Sequence, residues 1–203
     1  RYDRSKLIVS LGFDILAESP NIVETHRLFA QSRRYKDDGT MGRVVCFESV
    51  LSMTGGAGDE RHRVKPQSYV EIALALAVEL KNLGATMPAG ISLTQTASQV
   101  EKDWSIKEGV ISQLAHELWA TKGESLVVSG GSTAHMESAD LLLAATSLLN
   151  VMLGNDGKTI QYGEGSLKAW EESESGLAGL LADANAGRIQ ALVVVDVNLA
   201  YIA

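Results

Sequence analysis

The stretch GRVVCFESVLSMTGGAGDERHRVKP, Gly42 to Pro66, decides how the rest of the chain is read. Val44, Val45, Cys46 and Phe47 form a short apolar run, the pattern of a strand covered on both faces. Glu48 stands at its carboxyl end. In an open α/β sheet ligands bind at that edge, and an acid there commonly holds a ribose hydroxyl. The loop that follows carries Ser49, Ser52, Thr54, Gly55, Gly56 and Gly58. Its backbone N–H groups could cradle a phosphate, and its glycines equally suit a plain surface turn. Glu48 has the same two readings: a ribose contact, or a cap for the donors of its own loop.

Outward from this unit, strands and helices alternate. KLIVSLGFD (Lys6 to Asp14) reads as a strand with Gly12 and Asp14 at its exit. A helix follows from Pro20, with Ile22, Val23, His26, Leu28 and Phe29 at helical spacing. HRVKP reads as a short third strand. SYVEIALALAVELKNLG is a helix with Ser68 as N-cap, Glu71 three residues on as in a capping box, and Gly84 as its stop. Residues 85–104 have no firm period and read as a linker or excursion that allows a short helix. A second helix runs from Ser105, its cap, to Gly123. ESLVVSGGS is a buried strand, and a long apolar helix follows it. KTIQYG is a short strand, LKAWEESESGLAGLLADANAG a helix softened by Gly176 and Gly179, and RIQALVVVDVN a last strand. The acid run Glu171 to Ser175 reads as a solvated helix face. Alternation with short turns means βαβ units and a mostly parallel, Rossmann-like α/β sheet flanked by helices. The excursion divides the chain into a first lobe (1–84) and a second (105–203), or the two interleave as one unit.

With 203 residues, 45% hydrophobic and 21% charged, the composition is that of a globular chain. The net charge of −7 and the lack of a basic stripe exclude a nucleic-acid surface. No apolar run reaches the roughly 20 residues of a membrane span. Cys46 is the single cysteine, so an internal disulfide or a Cys-only cluster site is excluded. None of His26, His62, His116 and His135 is spaced i, i+4 from another, as a helical metal site requires. SGGS (Ser129 to Ser132) lacks the G-x-S-x-G of a nucleophile elbow. GGAGDE is not the G-x-G-x-x-G of nicotinamide binding. The chain begins at Arg1 close to a strand and ends directly after one, as an excised piece of a longer polypeptide would. Such a piece would expose once-covered apolar surface and self-associate.

Six pieces in order resemble the central α/β domains of the molybdopterin oxidoreductase superfamily. They are LGFDILAESP, FESVLSMTGG, GDERHRVKPQSY, SGGSTAHMES, LNVMLGNDGKT and AGRIQALVVVDVNLAY. Phe13 and Asp14 stand where that family has the Asn-Pro of its first turn. Pro66, Gln67, Ser68 and Tyr69 replace its P-G-T-D, and Leu199 follows Asn198 where a proline is usual. Those turns hold the pterin-guanine-dinucleotide groups in working members. FESVLSMTGGAGDERHRVKP and LGNDGKTIQYGE are similar to stretches of the iron–sulfur subunit of bacterial alternative complex III, whose corresponding part lacks the molybdenum cofactor.

That resemblance implies a non-catalytic scaffold domain of a quinol-oxidising complex. No cofactor would bind in this piece, and iron–sulfur clusters would lie elsewhere in the parent chain. The partners would be other subunits of a membrane-associated respiratory complex, on the periplasmic face of a bacterial cytoplasmic membrane. The alternative is a domain binding molybdopterin guanine dinucleotide in an active oxidoreductase. Any surviving pocket would lie where three strand exits converge, at Gly12, Asp14, Glu48, Thr54, Ser129, Gly130 and His135. His135 enters because the corresponding region touches the pterin in catalytic relatives.

Overall fold

Apolar runs at Leu7–Leu11 (β1) and Arg43–Glu48 (β2) pair in parallel, Leu7 opposite Arg43 and Leu11 opposite Phe47. In the computed structural model, which describes residues 1–37, 39–161 and 174–192, β2 also pairs with Glu60–Arg63 (β3), and β1 with Ser125–Val128 (β4). All pairings are parallel, and the strand order is β3-β2-β1-β4. The helices are α1 (Ile15–Glu18), α2 (Ile22–Ser32), α3 (Met53–Ala57), α4 (Ser68–Asn82), α5 (Ala97–Asp103), α6 (Val110–Ala120), α7 (Ala139–Met152) and α8 (Glu174–Asn185). Residues Arg1–Gln161 make one unit, and Tyr162–Ala203, which contains α8, a second. Because β4 pairs with β1, both expected lobes contribute strands to one sheet.

Side-chain alternation divides the core by face. Leu7, Val9 and Leu11 of β1, Val45 and Phe47 of β2 and Val127 of β4 point to one side. There they meet α4, whose Ile72, Ala73, Leu76 and Leu80 are fully buried, and the inner faces of α5, α6 and α7. Ile8, Val44, Cys46 and Leu126 point to the other side, against Ile15 and Phe29 of α1 and α2. Both faces of β1, β2 and β4 are covered, so these strands are largely apolar, broken in β1 only by Ser10, whereas β3 at the edge is the polar run Glu60–Arg63.

The outer flank of β4 is closed by side chains. Asn150 of α7 donates to Val127 O at 2.8 Å and accepts from Val127 N at 3.1 Å. The Thr159 hydroxyl donates to Ser125 O at 2.7 Å. Edge-strand groups that would otherwise need a neighbouring strand are thereby satisfied.

Several local expectations differ from what forms. Ser68 lies inside α4, not at its cap; its hydroxyl donates to Lys65 O, and Glu71 accepts from Trp104 Nε1 at 2.6 Å instead of closing a capping box. Ser105 does not cap α6. That helix begins after Gly109, and the buried carboxylate of Glu101 accepts from Gly109 N and Ile111 N at 2.9 and 2.7 Å. The third strand lies slightly earlier than HRVKP. KTIQYG gives one isolated bridge, Asp156 to Ile160, and its last two residues lie outside the described ones. The excursion carries α5. Of the expected last strand, Arg188 to Leu192 is not strand, and the remainder lies outside the described residues, as do Glu171 to Ser173 of the acid run.

Candidate functional site

The exits of β1, β2 and β4 converge at the carboxyl edge of the sheet. Gly12, Asp14, Glu48 and Ser132 line an open cleft of about 280 Å³ there, with Glu18 and Tyr69. Of the seven residues expected at such a pocket, Gly12, Asp14 and Glu48 are in the lining. The parts played around it by Asp14 and Glu18 were not expected.

Asp14 caps α1 and reaches across to α3. Its Oδ1 accepts from Leu16 N, Thr54 N and the Thr54 hydroxyl at 3.2, 3.1 and 2.7 Å, and its Oδ2 from Met53 N at 3.0 Å. Burial alone would raise its pKa. Donation from the Thr54 hydroxyl and from the Met53, Thr54 and Leu16 N–H groups outweighs that and holds it below the ordinary carboxylate value. Thr54 is fully buried at this joint and also accepts from Leu16 N at 3.1 Å.

The segment Thr54 to Gly58, read above as a phosphate cradle or a surface turn, is neither. It lies largely in α3, capped by Ser52, whose hydroxyl accepts from Gly55 N at 2.9 Å. That hydroxyl donates in turn to Glu48. Glu48 is 6% exposed and also pairs with Arg61 Nε. Of the two readings offered for Glu48, its contacts match the cap of its own loop.

Sequence reasoning missed Glu18. Its Oε2 accepts from Asp14 N at 3.0 Å and its Oε1 from Ser132 N at 3.0 Å, which joins the loop after β1 to the turn after β4. The available signal was an acid four residues beyond Asp14, one step longer than a capping box. Its second bond spans 114 positions and leaves no local trace.

Four candidates fall away from the cleft lining: Thr54, buried at the joint with Asp14, and Ser129, Gly130 and His135. Ser129 Oγ shares a hydrogen bond with Thr146 Oγ1 at 3.0 Å. Gly130 N donates to Thr133 Oγ1 at 3.0 Å. His135 ends the 3-10 turn Gly131–His135 and is exposed. His116 is also exposed, whereas His62 stacks on Phe47 and pairs with Glu60 on β3. Burial, with Glu48 and Asp14 nearby, pushes the Cys46 thiol up to about 12, so it is an inert core group. Among the described residues, no group of three or more His, Cys, Asp or Glu could hold a metal ion, and no helix is long and apolar enough to cross a membrane.

A pterin dinucleotide would need backbone donors and close backbone approach for its phosphates. Here the N–H groups of Asp14, Leu16, Met53, Thr54 and Ser132 already donate to the chain's own side chains. The glycine cradles are filled in the same way. A Cβ at Gly55 would collide with the Glu48 carboxylate and one at Gly131 with that of Glu18, and one at Gly12 would lie 2.5 Å from Tyr69 Cε2. No Lys or Arg is among the described residues lining the cleft, and three carboxylates are. Glu48 is paired with Arg61, but Asp14 and Glu18 place like charge against an anion. The residues present do not fit the phosphate groups of such a cofactor.

No family model matches the chain. It is 26% identical over 101 residues to perchlorate reductase subunit alpha of Dechloromonas aromatica (strain RCB), a match that spans 50% of this chain and 11% of that protein. Its fold superposes on acetylene hydratase from Pelobacter acetylenicus with a TM-score of 0.60 and 13% identity, over 78% of this chain and 22% of that one. The chain thus spans a minor part of either protein. The likeness to the second shows the α/β fold, and the weak sequence similarity to the first is in line with the resemblance carried by the six motifs.

Proposed function

We propose that this chain is a non-catalytic scaffold domain of a quinol-oxidising electron-transfer subunit resembling the alternative complex III iron–sulfur subunit. One observation carries the reading: the donors and glycine cradles at the carboxyl edge are taken by Asp14, Glu18 and Glu48. A domain built this way orients and docks. Electron transfer falls to iron–sulfur clusters carried elsewhere in the parent chain. Its partners are then the other subunits of a respiratory complex on the periplasmic side of a bacterial membrane. The buried, protonated Cys46 supplies no thiolate ligand.

The test is expression in cells that make the molybdenum cofactor, followed by pterin and molybdenum analysis and by calorimetric titration with guanine nucleotides. The expected result is no pterin and no saturable binding. Stoichiometric pterin, or micromolar nucleotide binding abolished by Glu48→Ala, would instead support a second reading, a domain binding molybdopterin guanine dinucleotide in an active oxidoreductase. The similarity to perchlorate reductase subunit alpha favours that reading.

A further inference from the structure

Strand order locates the crevice that an open α/β sheet offers to ligands. From β1 the chain steps to β2 and β3 on one side, then places β4 on the other. The direction reverses between β1 and β4, and ligands bind at the carboxyl ends of strands at such a switch point. Glu18 occupies this position, taking Asp14 N from the β1 exit and Ser132 N from the β4 exit. Gly131 makes the room. Its φ is +56, and an added Cβ would overlap the Glu18 carboxylate and approach Phe13 Cδ2 to 2.9 Å. Two N–H groups from different loops converge here beside a residue with no side chain, at the mouth of a cleft, and together they hold the two oxygens of one carboxylate.

We propose that Glu18 is a tethered occupant. Its carboxylate fills a phosphate-class oxyanion subsite between β1 and β4 and keeps free anions out. This inference rests on the scaffold reading, since it explains how the fold retains a crevice that takes no ligand. Tethering favours the internal group, because an attached ligand competes at an effective concentration on the order of millimolar. Removing the carboxylate frees both donors and lowers the negative charge of the cleft.

The experiment compares wild type, Glu18→Ala and Glu18→Gln in inorganic phosphate and, separately, in guanosine monophosphate. Ionic strength is held constant, and thermal unfolding and ³¹P line width are read. Saturable phosphate-dependent stabilisation is expected in Glu18→Ala and, more weakly, in Glu18→Gln, whose amide retains one acceptor. Wild type should show none. Equal effects of the two ligands identify a subsite for the phosphate group alone. A stronger effect of the nucleotide extends the subsite toward a base. Either pattern supports the proposal. If Glu18→Ala does not fold, Glu18→Gln decides. Folded variants that respond no more than wild type would overturn the tethered-anion inference and leave the scaffold reading standing. Micromolar nucleotide binding by wild type would overturn both.

Discussion

Replacing Asp14 with alanine removes the joint between β1 and α3. Four donor contacts end on its carboxylate. Leu16 N retains Thr54 Oγ1 at 3.1 Å, and the Thr54 hydroxyl can turn to a new acceptor. Met53 N and Thr54 N lose theirs. Hydrogen bonds to a charged group contribute about 1.5–3 kcal/mol each, and loss of an N-cap typically costs about 1 kcal/mol. Asp14 is half-buried, so water recovers part of the loss, and the lower end applies: about 2–3 kcal/mol in total. For a domain of this size that lowers Tm by roughly 4–12 °C. Asp14→Asn keeps one carbonyl oxygen for the Oδ1 donors but sets its amide NH2, a donor, against Met53 N–H, at a cost of about 1 kcal/mol.

The two variants also differ from wild type in their pH dependence. Burial raises the folded pKa of Asp14, but donation from the Thr54 hydroxyl and from Met53, Thr54 and Leu16 N–H together outweighs it, so the folded value is depressed. Its carboxylate therefore stabilises the fold fully above the unfolded value of about 3.9, and the contribution fades as pH falls through the lower folded value. Urea denaturation of all three proteins, followed by circular dichroism at neutral pH and stepwise below about pH 4, measures both effects. Asp14→Ala lying within about 0.5 kcal/mol of wild type, the scatter of ordinary surface changes, would refute the reasoning. So would a gap between wild type and Asp14→Asn that widens toward acid.

Asn150→Leu should destabilise by about 2–4 kcal/mol, because it strands the N–H and C=O of Val127 on the outer flank of β4; a denaturation midpoint equal to wild type would contradict this. Cys46, with its thiol pushed to about 12, should react with a thiol reagent near neutral pH only at the rate of opening. Modification that is fast in buffer and unchanged by urea would show that the strand is not buried as described.

The strands that build the sheet were legible because a run such as Val44 to Phe47 is covered on both faces and carries its own signature. Helix α4 was legible through its length and its Gly84 stop, where φ is +102. Its start was misplaced because Ser68 bonds backward to Lys65 O, and nothing in the spacing separates that from a cap. The start of α6 was misread for a related reason. Its cap is Glu101, contributed by the preceding helix, while Ser105 holds φ +55. At the cleft, the serines and glycines were visible but their partners were not. A glycine that admits Glu48 and a glycine that would admit a phosphate look the same in sequence. Only the folded chain, which brings Glu18 to Ser132, separates them.

The side chains along β4 also limit how copies of this domain could add to one another. Asn150 and Thr159 stand in for a fifth strand on that flank, so an incoming main chain finds Val127 N, Val127 O and Ser125 O already taken. Among the described residues β3 is paired on one side only, with β2. Edge-to-edge growth that needs two open flanks, as a fibre does, stops after one addition. Two copies meeting through β3 would use up each other's edge about a two-fold axis and leave the blocked flank of β4 on the outside of the pair.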